Sequence, residues 1–376
     1  MFVTESFLAQ LDDLLHRVCV ELQISPSRHQ LAEERYEAVG DWLSANGSPM
    51  SVFKPIIYPQ GSLRIGTTVR PTVRQEFDLD IVLELMQADW EKIQNPTVLI
   101  EVLKARLEQN DLYKGKVERK NRCVRLKYAD EFHLDILPAC PDPVSGQNCV
   151  VIPDRETSRW MSSNPKGFAQ WFDSRAELMV KMMIERGEPL PEPESAEKKA
   201  PLKRVVQLMK RWRDIFYAQD PDSAPVSIIL TTLAGLHYGG QQSVGEGLAA
   251  VLEGISGSIP SLPNRLVVVN PANSQEYLSE RWDQNPGAYR RFVEGITDFR
   301  DRWRTIQNMR GIHRVAEALC GLFGEHVTEQ AVRKHTLFLE SQQTKGNLGV
   351  QRGSGTLTSL STLGAVKVRP HSFYGA

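Results

Sequence analysis

Residues 58–85 read YPQGSLRIGTTVRPTVRQEFDLDIVLEL. Phe77 to Leu85 (FDLDIVLEL) is a strongly apolar strand, and side chains alternate faces along a strand. Asp78 and Asp80 therefore share one face while Leu79 and Ile81 enter the core. Two adjacent carboxylates repel unless a cation neutralises them, and hard oxygen donors suit magnesium or manganese. Upstream, Val52 to Tyr58 reads as a short strand and Pro59-Gln60-Gly61-Ser62 as a turn, with a helix expected from Leu63. A glycine-permitted turn that opens a helix presents backbone amides to an anion such as a triphosphate.

A third acid, Asp135, lies in a second apolar strand, Phe132 to Leu137, which Pro138 is expected to close. The ordered set is Gly61-Ser62, fifteen residues, Asp78-Leu79-Asp80, fifty-four residues, then Asp135. That set is far more specific than any of its parts; a lone D-x-D is more often solvated or structural. His133 faces the same side as Asp135, where a metal-ligand reading competes with a structural one. The basic run Lys114 to Lys127 reads either as a phosphate-contacting ridge or as a solvated edge strand.

Helical periodicity covers Phe7 to Leu22, and Ser27 is a candidate cap for a second helix through Leu43. Trp90 to Asn110 also reads as helical, and Lys116 to Tyr128 as strand. The Pro/Glu-rich stretch 186–201 reads as a flexible loop. Beyond it come an amphipathic helix with Val205, Leu208 and Trp212, and a more buried one over Ser227 to Tyr238. Further helices are expected over Ala288 to Arg304, Ile312 to Phe323, and from Thr328 as cap to about Ser341. Trp212, Trp282 and Trp303 read as core. After Thr344 the Gly/Ser/Thr-rich composition points to a flexible tail.

With 376 residues, 41% of them apolar, the chain can bury a large core. Lys plus Arg (45) balances Asp plus Glu (46), so phosphate-binding surface must be local. The five cysteines are scattered without zinc spacing and read as reduced thiols. No apolar run reaches the roughly 18 residues of a membrane span, and the amino terminus lacks a basic signal region, so cytoplasm is the default.

The G-S, D-x-D, D series resembles the polymerase β-like nucleotidyltransferases. The stretches YPQGSLRIGTTV, EFDLDIVLEL, FHLDILPA, LMKRWRD and VNPANSQEYLSERW resemble, over about Phe2 to Leu339, the cyclic-oligonucleotide synthases known in bacteria as CD-NTases, which signal in antiphage defence. The resemblance implies an α/β (α+β) fold: a nucleotidyltransferase core of mixed sheet plus a predominantly helical second lobe. Residues 1–50 would bridge the lobes, 51–185 form the catalytic core and 202–343 the helical lobe, with 344–376 as tail.

It implies that Asp78 and Asp80 bind two Mg2+ ions, with Mn2+ as substitute. Asp135 would bind the ion that activates a ribose hydroxyl, and accept its proton. Gly61 and Ser62 would grip the triphosphate with Lys210 and Ser227. The basic face carrying Lys203 and Lys210 is expected to be solvent-exposed. Substrates would be NTPs, ATP and GTP first, and the product a cyclic di- or trinucleotide read by a downstream effector. The segment Val269-Asn270-Pro271, with a charged helix after it, belongs to the same resemblance. A terminus ending Gly375-Ala376 invites conjugation by a ubiquitin-transfer-like partner. The chain lacks a zinc cluster and net basic charge, against activation by nucleic acid. Two other classes remain: transfer of nucleotides to an RNA end, small molecule or protein, and a non-catalytic nucleotide sensor.

Overall fold

The computed structural model describes residues 2–71, 77–128, 132–176, 199–261, 263–351, 357–360 and 365–367. Two helices open the chain, α1 (Phe2–Glu21) and α2 (Pro26–Ser44). Ser25, not Ser27, caps α2: its hydroxyl accepts from the Arg28 N–H at 3.3 Å, with Pro26 at the first helical position. Then come β1 (Pro55–Gln60), the single turn α3 (Gly61–Arg64), β2 (Phe77–Leu85) and α4 (Val98–Glu108). The expected helix from Trp90 starts late because Pro96 excludes the residue before it from helical conformation.

β3 (Val117–Arg119), β4 (Val124–Tyr128), β5 (Phe132–Pro141), β6 (Val150–Asp154) and β7 (Arg159–Ser163) complete a seven-stranded sheet, followed by α5 (Pro165–Arg175). Its order is β1-β2-β5-β4-β3, with β6 pairing β5 and β7 pairing β6; β2 and β5 run parallel and the other pairs antiparallel. β5 runs through Pro138 because β4 pairs it only as far as Ile136, leaving an open edge that tolerates a residue without an N–H. β3 is the outermost strand, so the basic run 114–127 begins at a sheet edge, while its end, with Arg125 and Lys127, lies on the inner strand β4.

The second half is helical: α6 (Pro201–Phe216), α7 (Ser227–His237) and α8 (Val244–Ser258) precede the hairpin β8 (Val269–Asn270) and β9 (Asn273–Tyr277). The charged helix expected after Pro271 is thus a β-hairpin, followed by the short α9 (Arg281–Gln284). Then come α10 (Pro286–Gln307), α11 (Ile312–Phe323) and α12 (Glu325–Thr344). The last begins after Gly324, whose φ of +92° breaks the chain direction; Thr328 lies a turn inside the helix, fully buried, rather than capping it.

The tail is not wholly irregular. β10 (Leu348–Gln351), β11 (Leu357–Ser359) and β12 (Ala365–Lys367) pair into a small antiparallel sheet. Leu348 is buried, which the Gly/Ser/Thr-rich composition concealed. Residues 186–198 of the stretch expected as a flexible loop, and the Gly375-Ala376 terminus, lie outside the described residues, and Pro201 at the end of that stretch already opens α6.

Two main cores result. One joins Leu11, Leu15 and Val18 of α1 to Trp212, Trp282, Trp303 and the helical half; the other places Tyr36, Val39 and Leu43 of α2 against one sheet face. The first two helices therefore serve different lobes. Among the described residues no helix is long and apolar enough to cross a membrane.

Candidate active site

Strand register assembles the acidic centre. In the parallel pair β2–β5, Asp80 stands opposite Asp135 and Asp78 opposite His133, while Phe77, Leu79 and Ile81 are buried on the other face. Antiparallel β4 sets Arg125 beside Asp135, and β1 sets Gln60 beside Asp80. Three carboxylates sequence reasoning took from distant segments are thus neighbours across two strands.

Arg125 was not foreseen. Its Nε and Nη2 donate to the two Asp135 oxygens at 2.7 and 2.8 Å, and Nη2 lies 3.1 Å from Asp78 Oδ1. His133 Nδ1 is 3.4 Å from Arg125 Nη1 and 3.5 Å from Asp78 Oδ1. The alternation Val124, Leu126, Tyr128 inward against Arg125 outward was the available signal, but the arginine was read only as one of a basic run.

Burial pushes the Asp80 carboxyl up to about 7, with the charges of Asp135 and Asp78 adding to the rise. Burial also raises Asp78. The site is therefore short of positive charge even with Arg125 in place. This meets the demand for a divalent cation: the acids are hard oxygen donors on one face, and two of them resist ionising without a further counter-charge. Among the described residues no three metal-ligating side chains stand in a cage, and the Arg125 guanidinium lies against both Asp135 oxygens and one of Asp78. The residues that would hold magnesium are Asp78, Asp80 and Asp135, and a bound ion there would supply Lewis acidity and charge neutralisation.

Gly61 follows Gln60 directly, and its φ of +63° puts it in the left-handed region. A Cβ there would collide with Asp80 Oδ2, so glycine is required twice over. The turn presses the backbone against the acids. Ser62 Oγ is 3.2 Å from Thr68 Oγ1, and the Thr67 N–H donates to the Ser62 carbonyl at 2.8 Å.

From the helical side, Lys210 Nζ donates to Thr67 Oγ1 at 2.9 Å and to the Thr67 carbonyl at 3.2 Å. The expectation of an exposed basic face fails here: Lys210 is 8% exposed and Lys203 4%. α6 is buried on nearly every side because it runs between the lobes, so amphipathic spacing understated its burial. Burial lowers the Lys210 ammonium to about 8, against the pull of Asp80. Ser227 opens α7, whose N-cap residue Val226 makes no side-chain hydrogen bond to the first turn.

Gly61, Ser62, Asp78, Asp80, Lys210 and Ser227 all line one cavity of about 430 Å3; Asp135 lies behind its acidic wall, paired with Arg125. The cavity also reaches Asn270, within the segment the resemblance marked, and Ser163 and Glu276, which sequence reasoning gave no role.

A sheet that presents three acids beside a glycine turn, facing a lysine and a helix N-terminus, defines a nucleotidyltransferase. Residues 9–175 match the domain family described as Second Messenger Oligonucleotide or Dinucleotide Synthetase. A "c-di-GMP synthase" of Roseivirga ehrenbergii is 34% identical over the full length of both chains. The "Cyclic dinucleotide synthase CdnG" of Bradyrhizobium diazoefficiens is 28% identical over 99% of this chain and 96% of its own. The structure of that CdnG in complex with GTP superposes with a TM-score of 0.71 at 27% identity, covering 87% of this chain and 99% of the other. Vibrio cholerae DncV shares the fold at a TM-score of 0.55 and 16% identity, over 87% of this chain and 92% of its own. The chain belongs to this synthetase family, the CD-NTases, and is an enzyme of the cyclic-oligonucleotide-synthase class.

Proposed function

We propose that the chain joins two GTP molecules into a cyclic dinucleotide, with magnesium held by Asp78, Asp80 and Asp135. The observation that carries the reading is the strand register placing Asp80 opposite Asp135 beside the Gly61 turn. GTP as substrate is supported by the full-length similarity to a c-di-GMP synthase and to a CdnG solved with GTP.

In this reading the triphosphate lies between the Gly61–Ser62 amides and Lys210 with the Ser227 end of α7, all on the cavity wall. A ribose hydroxyl oxygen attacks the α-phosphorus, the bond to pyrophosphate breaks, and the hydroxyl proton passes to Asp135. Arg125 fixes the Asp135 carboxylate in orientation. A second transfer closes the ring, and the product signals to a cyclic-nucleotide effector in antiphage defence.

The test is incubation of the full chain with all four NTPs and magnesium, phosphatase treatment, and mass spectrometry of what survives. A resistant species with the mass of cyclic di-GMP is expected. Linear products only, or pyrophosphate release only with an added RNA or small-molecule acceptor, would overturn cyclisation and favour transfer to an acceptor.

A further inference from the structure

The loop that follows α3 is tied to the helical half along its length. Gln207, Lys210 and Arg211 lie three and four positions apart on α6 and so share one helix face. Each of them reaches the loop. Gln207 Nε2 donates to the Thr68 carbonyl at 2.6 Å, Lys210 Nζ donates to Thr67, and Arg211 Nη2 donates to the Arg70 carbonyl. Just past α1, the Leu22 carbonyl accepts from the Arg70 N–H at 2.7 Å. The same loop is bound to the glycine turn: the Thr67 N–H donates to the Ser62 carbonyl at 2.8 Å, and the Ser62 and Thr68 hydroxyls meet at 3.2 Å. Thr67 is fully buried at this junction, bonded to Ser62 on one side and to Lys210 on the other.

The donor inventory of Lys210 shows what the junction does. An ammonium carries three N–H groups and no acceptor. Two go to Thr67, one to its hydroxyl at 2.9 Å and one to its carbonyl at 3.2 Å, which leaves one for the cavity that Lys210 lines. Two acids attract this ammonium, Asp80 and Asp214. Asp214 is already paired with Arg213 at 3.0 Å, whereas Asp80 is buried beside two other acids with too little positive charge around it. A Lys210 released from Thr67 would therefore turn to Asp80. Arg125 already lies in that manner against Asp135 and Asp78. A second side-chain cation on the third acid would make every carboxylate of the centre contested before a metal ion arrives. Thr67 offers neutral oxygens instead, which hold the ammonium in place and leave its charge available to phosphate.

We infer that Thr67 is a positioning residue of the triphosphate site: it anchors the Lys210 ammonium off Asp80, at a fixed place relative to Ser62, and so keeps the acids open to a divalent cation. The inference rests on the nucleotidyltransferase reading of the cavity for its ligands. Thr67 itself touches neither nucleotide nor metal.

The experiment is a titration of the full chain with Mn2+ in the absence of nucleotide, followed by the loss of the free-ion paramagnetic signal. Thr67→Val keeps the side-chain shape and removes the hydroxyl. It is expected to weaken Mn2+ binding about threefold to thirtyfold, the range of coupling between neighbouring groups, because Lys210 then competes for Asp80. Thr67→Ser, which keeps the hydroxyl, should bind close to the wild type. In a Lys210→Gln background Thr67→Val should change nothing, since no ammonium is left to be released. Unchanged Mn2+ affinity in Thr67→Val overturns the inference, and so does an equal loss with and without Lys210, which a general disturbance of the loop would give. If Thr67→Val fails to fold, Thr67→Ala takes its place under the same criteria. Should the wild-type chain bind no Mn2+, the metal-site reading fails separately. Binding of inorganic tripolyphosphate in EDTA then decides: it must weaken in Thr67→Val and recover in Thr67→Ser, and equal binding, or none, by all three proteins overturns the anchoring role.

Discussion

Replacing Asp80 by Asn should kill the enzyme and stabilise it. Asp80 is held near 7 against an ordinary 3.8 because burial and two neighbouring acids disfavour its charge. For an acid with a raised folded-state value, stability from this group is greatest below the unfolded value. It is lost as pH rises through the folded one. At about 1.4 kcal/mol per pKa unit, the ionised carboxylate costs the metal-free fold roughly 4 kcal/mol at pH 8. Asn keeps the volume and removes the charge. Relaxation and water entry make that figure an upper bound, so a rise in Tm of about 2–6 °C is expected in EDTA at pH 8. At pH 5.5 the gain should shrink to about half, since the folded wild type is then largely protonated. Magnesium should restore stability to the wild type and add little to Asp80→Asn, whose pyrophosphate release is abolished. The assay is thermal unfolding with and without magnesium at the two pH values. If Asp80→Asn melts below the wild type in EDTA at pH 8, the site is not short of positive charge and the argument for a cation there fails.

Lys210 sits near 8 because burial disfavours its charge, so the KM for GTP should climb as pH rises above 8, while Lys210→Arg, which stays charged, should show a flatter profile; identical profiles refute a phosphate role. Lys210→Ala should also lower stability by about 1–3 kcal/mol, because it removes both bonds to Thr67 inside a buried interface, as chemical denaturation will show. Gly61→Ala should abolish turnover and cost at least about 1 kcal/mol of stability, its methyl colliding with Asp80; near wild-type activity would mean the turn is not held as described. Arg125→Gln should destabilise the metal-free protein and make Mn2+ bind more tightly in a nucleotide-free titration, because a guanidinium no longer competes for Asp135; weaker Mn2+ binding would contradict the competition.

Legibility followed the range of the interactions. The acids were readable because strand alternation is local: Asp78 and Asp80 share a face whatever the rest of the chain does, and β2 was visible as an apolar run. Gly61 was readable because a turn before a strand has few other residues to use. Lys210 was found by position but misjudged in exposure. Its burial depends on α6 lying between lobes, with Gln207 reaching Thr68 and Lys210 reaching Thr67 from another part of the chain. Arg125 escaped for a related reason: strand alternation turned it outward, but its pairing comes from Asp135 on the neighbouring strand. β9, in the stretch after Pro271 where a charged helix was expected, escaped because Asn273 to Tyr277 lack the apolar alternation that reveals a strand.

The distribution of charge in the cavity accounts for its two-lobed construction. The sheet supplies acids and the helical half supplies Lys210 and the α7 terminus, so each lobe alone presents an unbalanced wall. In the ligand-free protein Arg125 and Lys210 partly offset the acids, by direct pairing and by attraction respectively. A triphosphate entering alone would face Asp78 and Asp80 across a short gap, and a cation entering alone would have to displace the guanidinium. Brought together, each cancels the other's obstacle.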